Sequence, residues 1–237
     1  MNFLLHRHLA ALELGSPVAG VGAMLPDLWR LAGRRLRAPL AADGDEGGVQ
    51  AELRQGLQHH FEADRWFHAT PVFTDGEDAT RQAFYELRPR PPKLPMFAHV
   101  SWELCLDGAL VLREGLDELL GGLRRTVAQV GREGLDRFAA AQGVRPATDD
   151  HERPRFDARM NRILSGLDRD DWIGGYRSGA GLCVRLGGVR AQVGLAALSP
   201  EQAEALTVVL DARLGHAVQA LKPLLAERAA RVSQTDD

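Results

Sequence analysis

His60-Phe61-Glu62-Ala63-Asp64-Arg65-Trp66-Phe67-His68 is the stretch whose period decides the fold. His60, Asp64 and His68 fall at i, i+4 and i+8, one face of a helix. Read backwards, Leu53 and Leu57 continue that stripe, with Phe61 flanking it. The polar residues therefore extend an apolar face that points inward. A second stretch, His99-Val100-Ser101-Trp102-Glu103, repeats the i, i+4 spacing. Met96, His99, Glu103, Leu106 and Leu110 form its stripe. The rest reads mostly as helix, and the spacing predicts an all-α fold.

Inward carboxylates are costly to bury alone. Imidazole and carboxylate one turn apart can converge on a divalent cation, which removes that cost. A third segment, Met1 to Ala10, adds His6 and His8. Six of the eight histidines lie in or beside these three segments. A metal site is the simplest chemistry that unites them, and one cleft shared by His60, Asp64, His68, His99 and Glu103 is expected. Core polar residues satisfied by hydrogen bonds are the alternative. In a helix His6 and His8 point about 200° apart, so they do not serve one target. His8 is taken as a ligand candidate and His6 as an ambiguous one. His59 is read as supporting or solvent-facing, His151 and His216 as structural, Trp66 and Trp102 as core.

The 237 residues suffice for one domain over 1–237. A net charge of −3 gives no argument for nucleic acid. Cys105 and Cys183 lack metal or redox spacing and read as buried thiols of a reducing cytoplasm. The opening is not patterned as a signal peptide, and no apolar run approaches membrane length. Helices are expected at 3–14, around 25–29, and at 50–68, 75–86, 95–112, 114–142, 154–166, 169–180 and 199–230. Residues 38–48 and 143–154 read as loops, and 233–237 as a frayed tail. Leu182 to Val189 is a short strand candidate or a helix end. Ser199-Pro200-Glu201-Gln202 is a helix-start signature.

These residues resemble the acyl carrier protein phosphodiesterase family, all-α enzymes related to the HD-type metal-dependent phosphohydrolases. The family's opening M-N-F-L-x-H-x-H-L-A is matched from Met1 to Ala10. A small-apolar stretch ending in Asp before an aromatic resembles Gly20 to Trp29, with Asp27 as the acid. The pattern G-I-x-x-H-x-x-x-D-x-x-x-D resembles Gly56 to His68, where His68 stands for the last Asp. The pattern D-x-x-W-D-H resembles His99 to Leu104, with His99 and Glu103 each replacing Asp and Leu104 replacing His. A W-x-x-x-Y pair resembles Trp172 and Tyr176.

The resemblance implies hydrolysis of a phosphodiester, with 4′-phosphopantetheine on acyl carrier protein as the family's substrate. It implies ligands among His8, His60, Asp64, His68, His99, Glu103 and His6, with Asp27 and Asp64 as the catalytic carboxylates; Asp27 is either a further ligand or the base that orients the water. The departures at 68, 99 and 103 keep metal-competent side chains. The added imidazole favours Zn²⁺, Fe²⁺ or Mn²⁺, as one ion or two, over Mg²⁺. Arg30, Arg34 and Arg35 follow Asp27 and suit an acidic partner or a phosphate; a solvated helix face is the alternative. Rival readings are a phosphohydrolase of nucleotides or small esters, a di-iron oxygenase, and a helical binding module without catalysis.

Overall fold

A computed structural model of the chain describes residues 3–40, 47–146, 151–167 and 170–235. Among the described residues every regular element is helical. The α-helices are α1 (Phe3–Glu13), α2 (Pro17–Leu31), α3 (Gly48–His68), α4 (Pro71–Glu86), α5 (Ala98–Glu114), α6 (Leu116–Ala141), α7 (Glu152–Leu167), α8 (Asp170–Gly174), α9 (Gly179–Gln192) and α10 (Pro200–Thr235). Short 3₁₀ turns occupy Leu94–Phe97 and Gly175–Arg177.

Local chemistry fixes several starts. Ser16-Pro17, Thr70-Pro71 and Ser199-Pro200 each place a hydroxyl before a proline at the first helical position. There the missing N–H costs nothing and the hydroxyl accepts from an otherwise unpaired amide. Ala19 N donates to Ser16 Oγ at 3.1 Å, and Phe73 N to Thr70 Oγ1 at 3.2 Å. At α10 the cap is reciprocal: Gln202 N donates to Ser199 Oγ at 3.2 Å, and Ser199 N to Gln202 Oε1 at 3.1 Å.

Three expectations are corrected, and one open between strand and helix resolves to helix. Helix α4 begins at Pro71 rather than near Thr74-Asp75, because Thr70 caps it. Helix α2 is a full 15 residues and runs through Pro26, since burial on every side from Val18 to Trp29 holds it. Leu182 to Val189 is helix: α9 is capped by Ser178, and it buries Leu182, Leu186 and Arg190 at helical spacing. Ser233 lies within α10, which continues to Thr235; residues 236–237 of the expected tail lie outside the described residues. Much of the 38–48 loop, and residues 147–150 of the second loop, also lie outside them; Glu152 to Pro154 are already helix.

The chain forms two compact units, each assembled from separated stretches. The first comprises Phe3–Trp66 and Asp117–Asp170, the second Phe67–Leu116 and the chain from Asp171 onward. In the first, α2 and α3 meet backbone to backbone. A Cβ on Gly22 would sit 2.2 Å from the Leu53 carbonyl oxygen, and one on Gly56 would sit 1.8 Å from that of Ala19. Only glycine permits this approach. Trp29 and Phe138 fill the core beside it, ring centroids 6.1 Å apart.

In the second unit α5 is the central element, buried at Ala98 and from Ser101 to Val111 and packed by α4, α9 and α10. Gly76 on α4 lies flat on the Trp102 indole, where a Cβ would come within 2.0 Å of the ring. Trp102 Nε1 donates to the Val72 carbonyl at 3.1 Å. Met96, expected on the α5 stripe, precedes that helix and is 76% exposed.

Candidate metal-binding groups

The first unit gathers His6, His60 and Asp64, one possible donor atom from each lying within 4.8 Å of the others. Helix α1 supplies His6, on the face that also buries Phe3, Leu9 and Ala10. Helix α3 supplies the other two, one turn apart. The His6 and His60 rings lie 4.1 Å apart between centroids, tilted by 46°, and His6 Nε2 is 3.6 Å from Asp64 Oδ1. Both imidazoles are buried. Nδ1 and Nε2 of His6 and Nδ1 of His60 have no hydrogen-bond partner. Burial, and next the neighbouring His6, hold His60 well below its ordinary pKa, although Asp64 and a backbone hydrogen bond at Ala23 pull the other way. His60 is therefore neutral near pH 7, the form that ligates a metal.

The second unit gathers His68, His99 and Glu103. Nε2 of both histidines approaches the same carboxylate oxygen, Glu103 Oε1, at 3.4 Å. Glu77 on α4 reaches the far side of His99, its Oε2 3.2 Å from Nδ1. Phe73 packs edge-on against both imidazoles, at 4.4 Å from His68 and 4.9 Å from His99. Burial alone would push the Glu103 carboxyl up; nearby positive charge and the hydrogen bonds from His68 and His99 hold it well below the usual range. The bond to Glu103 raises His99, burial opposes it, and Glu77 adds to the rise.

Both groups fit a divalent ion by donor chemistry: two imidazoles and one carboxylate, with positions left open. Ligands about 2.0–2.2 Å from a tetrahedral ion stand about 3.3–3.6 Å apart. The contacts at 3.4 Å and 3.6 Å match that spacing and are long for hydrogen bonds.

No protein-family model, no curated protein and no solved structure matches this chain. Of the residues singled out in the sequence, His60, Asp64, His68, His99 and Glu103 each join a group. The α3 set does not act as one: His60 and Asp64 gather with His6, and His68 gathers with His99 and Glu103. From α1 it is His6, fully buried, that joins; half-buried His8 belongs to neither group. Asp27 is buried on α2 and lies in neither group.

Arg30 and Arg35 are exposed at the end of α2 and just beyond it, and Arg34 pairs with Glu152 at 2.6 Å. His59 is buried against Glu13, its Nε2 2.8 Å from the carboxylate. His151 and His216 are exposed, while Trp66 and Trp102 are core. Cys105 and Cys183 are free buried thiols, and burial pushes Cys105 up to about 12. No described helix is long and apolar enough to cross a membrane.

Sequence reasoning missed Glu77. The signal for His6 was present in the Phe3–His6–Leu9–Ala10 spacing.

Proposed function

We propose that this protein is a metal-dependent phosphoesterase that hydrolyses a phosphodiester. The observation that carries the reading is the buried pair His6–His60 beside Asp64: three of its four ring nitrogens lack a hydrogen-bond partner, and His6 faces the carboxylate. Unpaired polar atoms inside a protein cost about 1–3 kcal/mol each, and a cation shared by these donors removes the cost. When bound, a divalent ion supplies Lewis acidity toward the phosphoryl group and a hydroxide nucleophile near neutral pH.

The chain's own residues do the rest. His60 presents a neutral ring nitrogen, Asp64 adds negative charge where solvent still reaches, and Glu103 fixes the two imidazoles of the second group. Exposed Arg30 and Arg35 suit an acidic partner. Acyl carrier protein, the partner implied by the sequence resemblance, has that character.

Purified protein loaded with Mn²⁺, Fe²⁺ or Zn²⁺ should hydrolyse bis(p-nitrophenyl) phosphate. Chelation should stop it, and Asp64→Ala should reduce it at least 100-fold. Full metal occupancy without hydrolysis of that diester, and without release of 4′-phosphopantetheine from holo-acyl carrier protein, would reject the reading.

A second reading has an observation of its own. Two histidines and one carboxylate with open positions also describe non-haem Fe²⁺ oxygenase sites. Iron retained through aerobic purification, with a visible absorption band and no diester hydrolysis, would favour it.

A further inference from the structure

We propose that Glu77 is a positioning residue for metal binding at the His68–His99–Glu103 group. The proposal rests on the reading that this group holds a divalent ion. A neutral imidazole carries one N–H, and His99 lies between two carboxylates that both want it. Glu77 Oε2 is 3.2 Å from Nδ1, and Glu103 Oε1 is 3.4 Å from Nε2. If the proton sits on Nε2, it points at Glu103 and blocks the nitrogen that faces the donor set. If Glu77 takes it at Nδ1, the Nε2 lone pair faces His68 and Glu103 and is free to ligate.

Three further contacts surround this arrangement. Arg81 pairs with Glu77 Oε1 from the next turn of α4 and leaves Oε2 to His99. Phe73, from the first turn of the same helix, packs on His99 and restricts ring rotation. Gly76 lets α4 lie against Trp102, which brings Glu77 within reach of α5. Glu77 contributes no atom to the group itself; it acts through His99.

The test is Co²⁺ binding by equilibrium dialysis, with the portion lost in His99→Ala taken as this site. Glu77→Ala should weaken that portion 10–100-fold, the range for loss of a carboxylate behind a metal-ligating histidine. Glu77→Gln keeps an acceptor for the Nδ1 proton and should recover most of the loss. Arg81→Ala breaks the same helical ion pair without touching His99 and should stay within twofold of wild type. In the Zn²⁺-loaded protein, ¹⁵N NMR should show His99 bound through Nε2 with its proton on Nδ1, and Glu77→Ala should leave a mixture of the two tautomers. An affinity unchanged by Glu77→Ala, or an unchanged tautomer, overturns the proposal while leaving the metal site standing. Equal losses in Glu77→Ala and Arg81→Ala would reduce Glu77 to a helix-stabilising partner and overturn it too. A wild-type chain with no Co²⁺ binding sensitive to His99→Ala overturns the metal reading of this group, and the proposal with it.

Discussion

In the His6–His60–Asp64 group the imidazoles are inside, at 1% and 6% exposure, and the carboxylate is 36% exposed. In the His68–His99–Glu103 group the order is inverted: the carboxylate is 5% exposed and the imidazoles 29% and 43%. A buried carboxylate must collect donors, and Glu103 collects two. A buried imidazole can stay neutral, and His60 does so. In the second group each imidazole already has the Glu103 carboxylate 3.4 Å from its Nε2, whereas the first leaves three ring nitrogens without partners. The same donor set would therefore meet a metal in two ways. At one group an ion would bind ring nitrogens that have no partner; at the other it would displace contacts already made to the carboxylate.

The sharpest way to break the contrast is to break one unit's packing at a time. Gly56→Ala should cost about 3 kcal/mol or more, because its Cβ would collide with the Ala19 backbone rather than a yielding side chain. Gly76→Ala should cost a similar amount by driving Trp102 off its seat. Urea unfolding of each variant, with metal content measured below the transition, should show each losing the ion of its own unit first. Loss of both ions in both variants would erase the distinction.

Metal removal comes next in size. An ion at 100 times its dissociation constant stabilises the state that binds it by about 2.7 kcal/mol. Chelation should lower the thermal midpoint of Glu103→Ala, which retains the group with unpaired nitrogens, more than that of Asp64→Ala. Equal shifts would mean that the partnerless nitrogens of His6 and His60 carry no added cost.

A smaller effect probes the first unit away from its ligands. Asp157 on α7 bonds Arg145 through both oxygens at 2.9 Å, and this holds its carboxyl below the ordinary value. A carboxyl whose folded pKa is depressed contributes stability above its unfolded pKa and loses it as pH falls through the folded one. Asp157→Asn should therefore cost about 0.5–1 kcal/mol at pH 7 and much less once the pH is well below 4. Urea midpoints at the two pH values check the sign. Loss of the Ser199 cap is expected to be of similar size: Ser199→Ala should lower stability by about 0.5–1 kcal/mol.

Helix α3 and the α5 ligands were legible because their polar residues share a stripe with Leu53, Leu57, Leu106 and Leu110, all fully buried. Period and burial agree there. On α1 they do not help as much, since apolar residues surround that short helix and choosing between His6 and His8 needs the neighbours it packs on. Glu77 was hidden for a local reason. Placing the start of α4 at Thr74-Asp75 instead of Pro71 overlooked the Thr70 cap, and nothing in the spacing of one acid announces a histidine 22 residues away. The division of the α3 stripe between two groups was hidden as well, because one face of one helix reads as one site until its neighbours are known.

The sequence order of the two units has a consequence for biosynthesis. Neither is contiguous: the first needs α6 and α7 to join α1 to α3, and the second needs α9 and α10 to cover α5. When α5 leaves the ribosome, the helix that packs along it, α10, begins 86 residues after α5 ends, at Pro200 against Glu114. The apolar flank of α5 is then uncovered for several seconds of elongation, at about 5–20 residues per second. A nascent chain halted before Pro200 should bind a holdase chaperone, and one released after Thr235 should not.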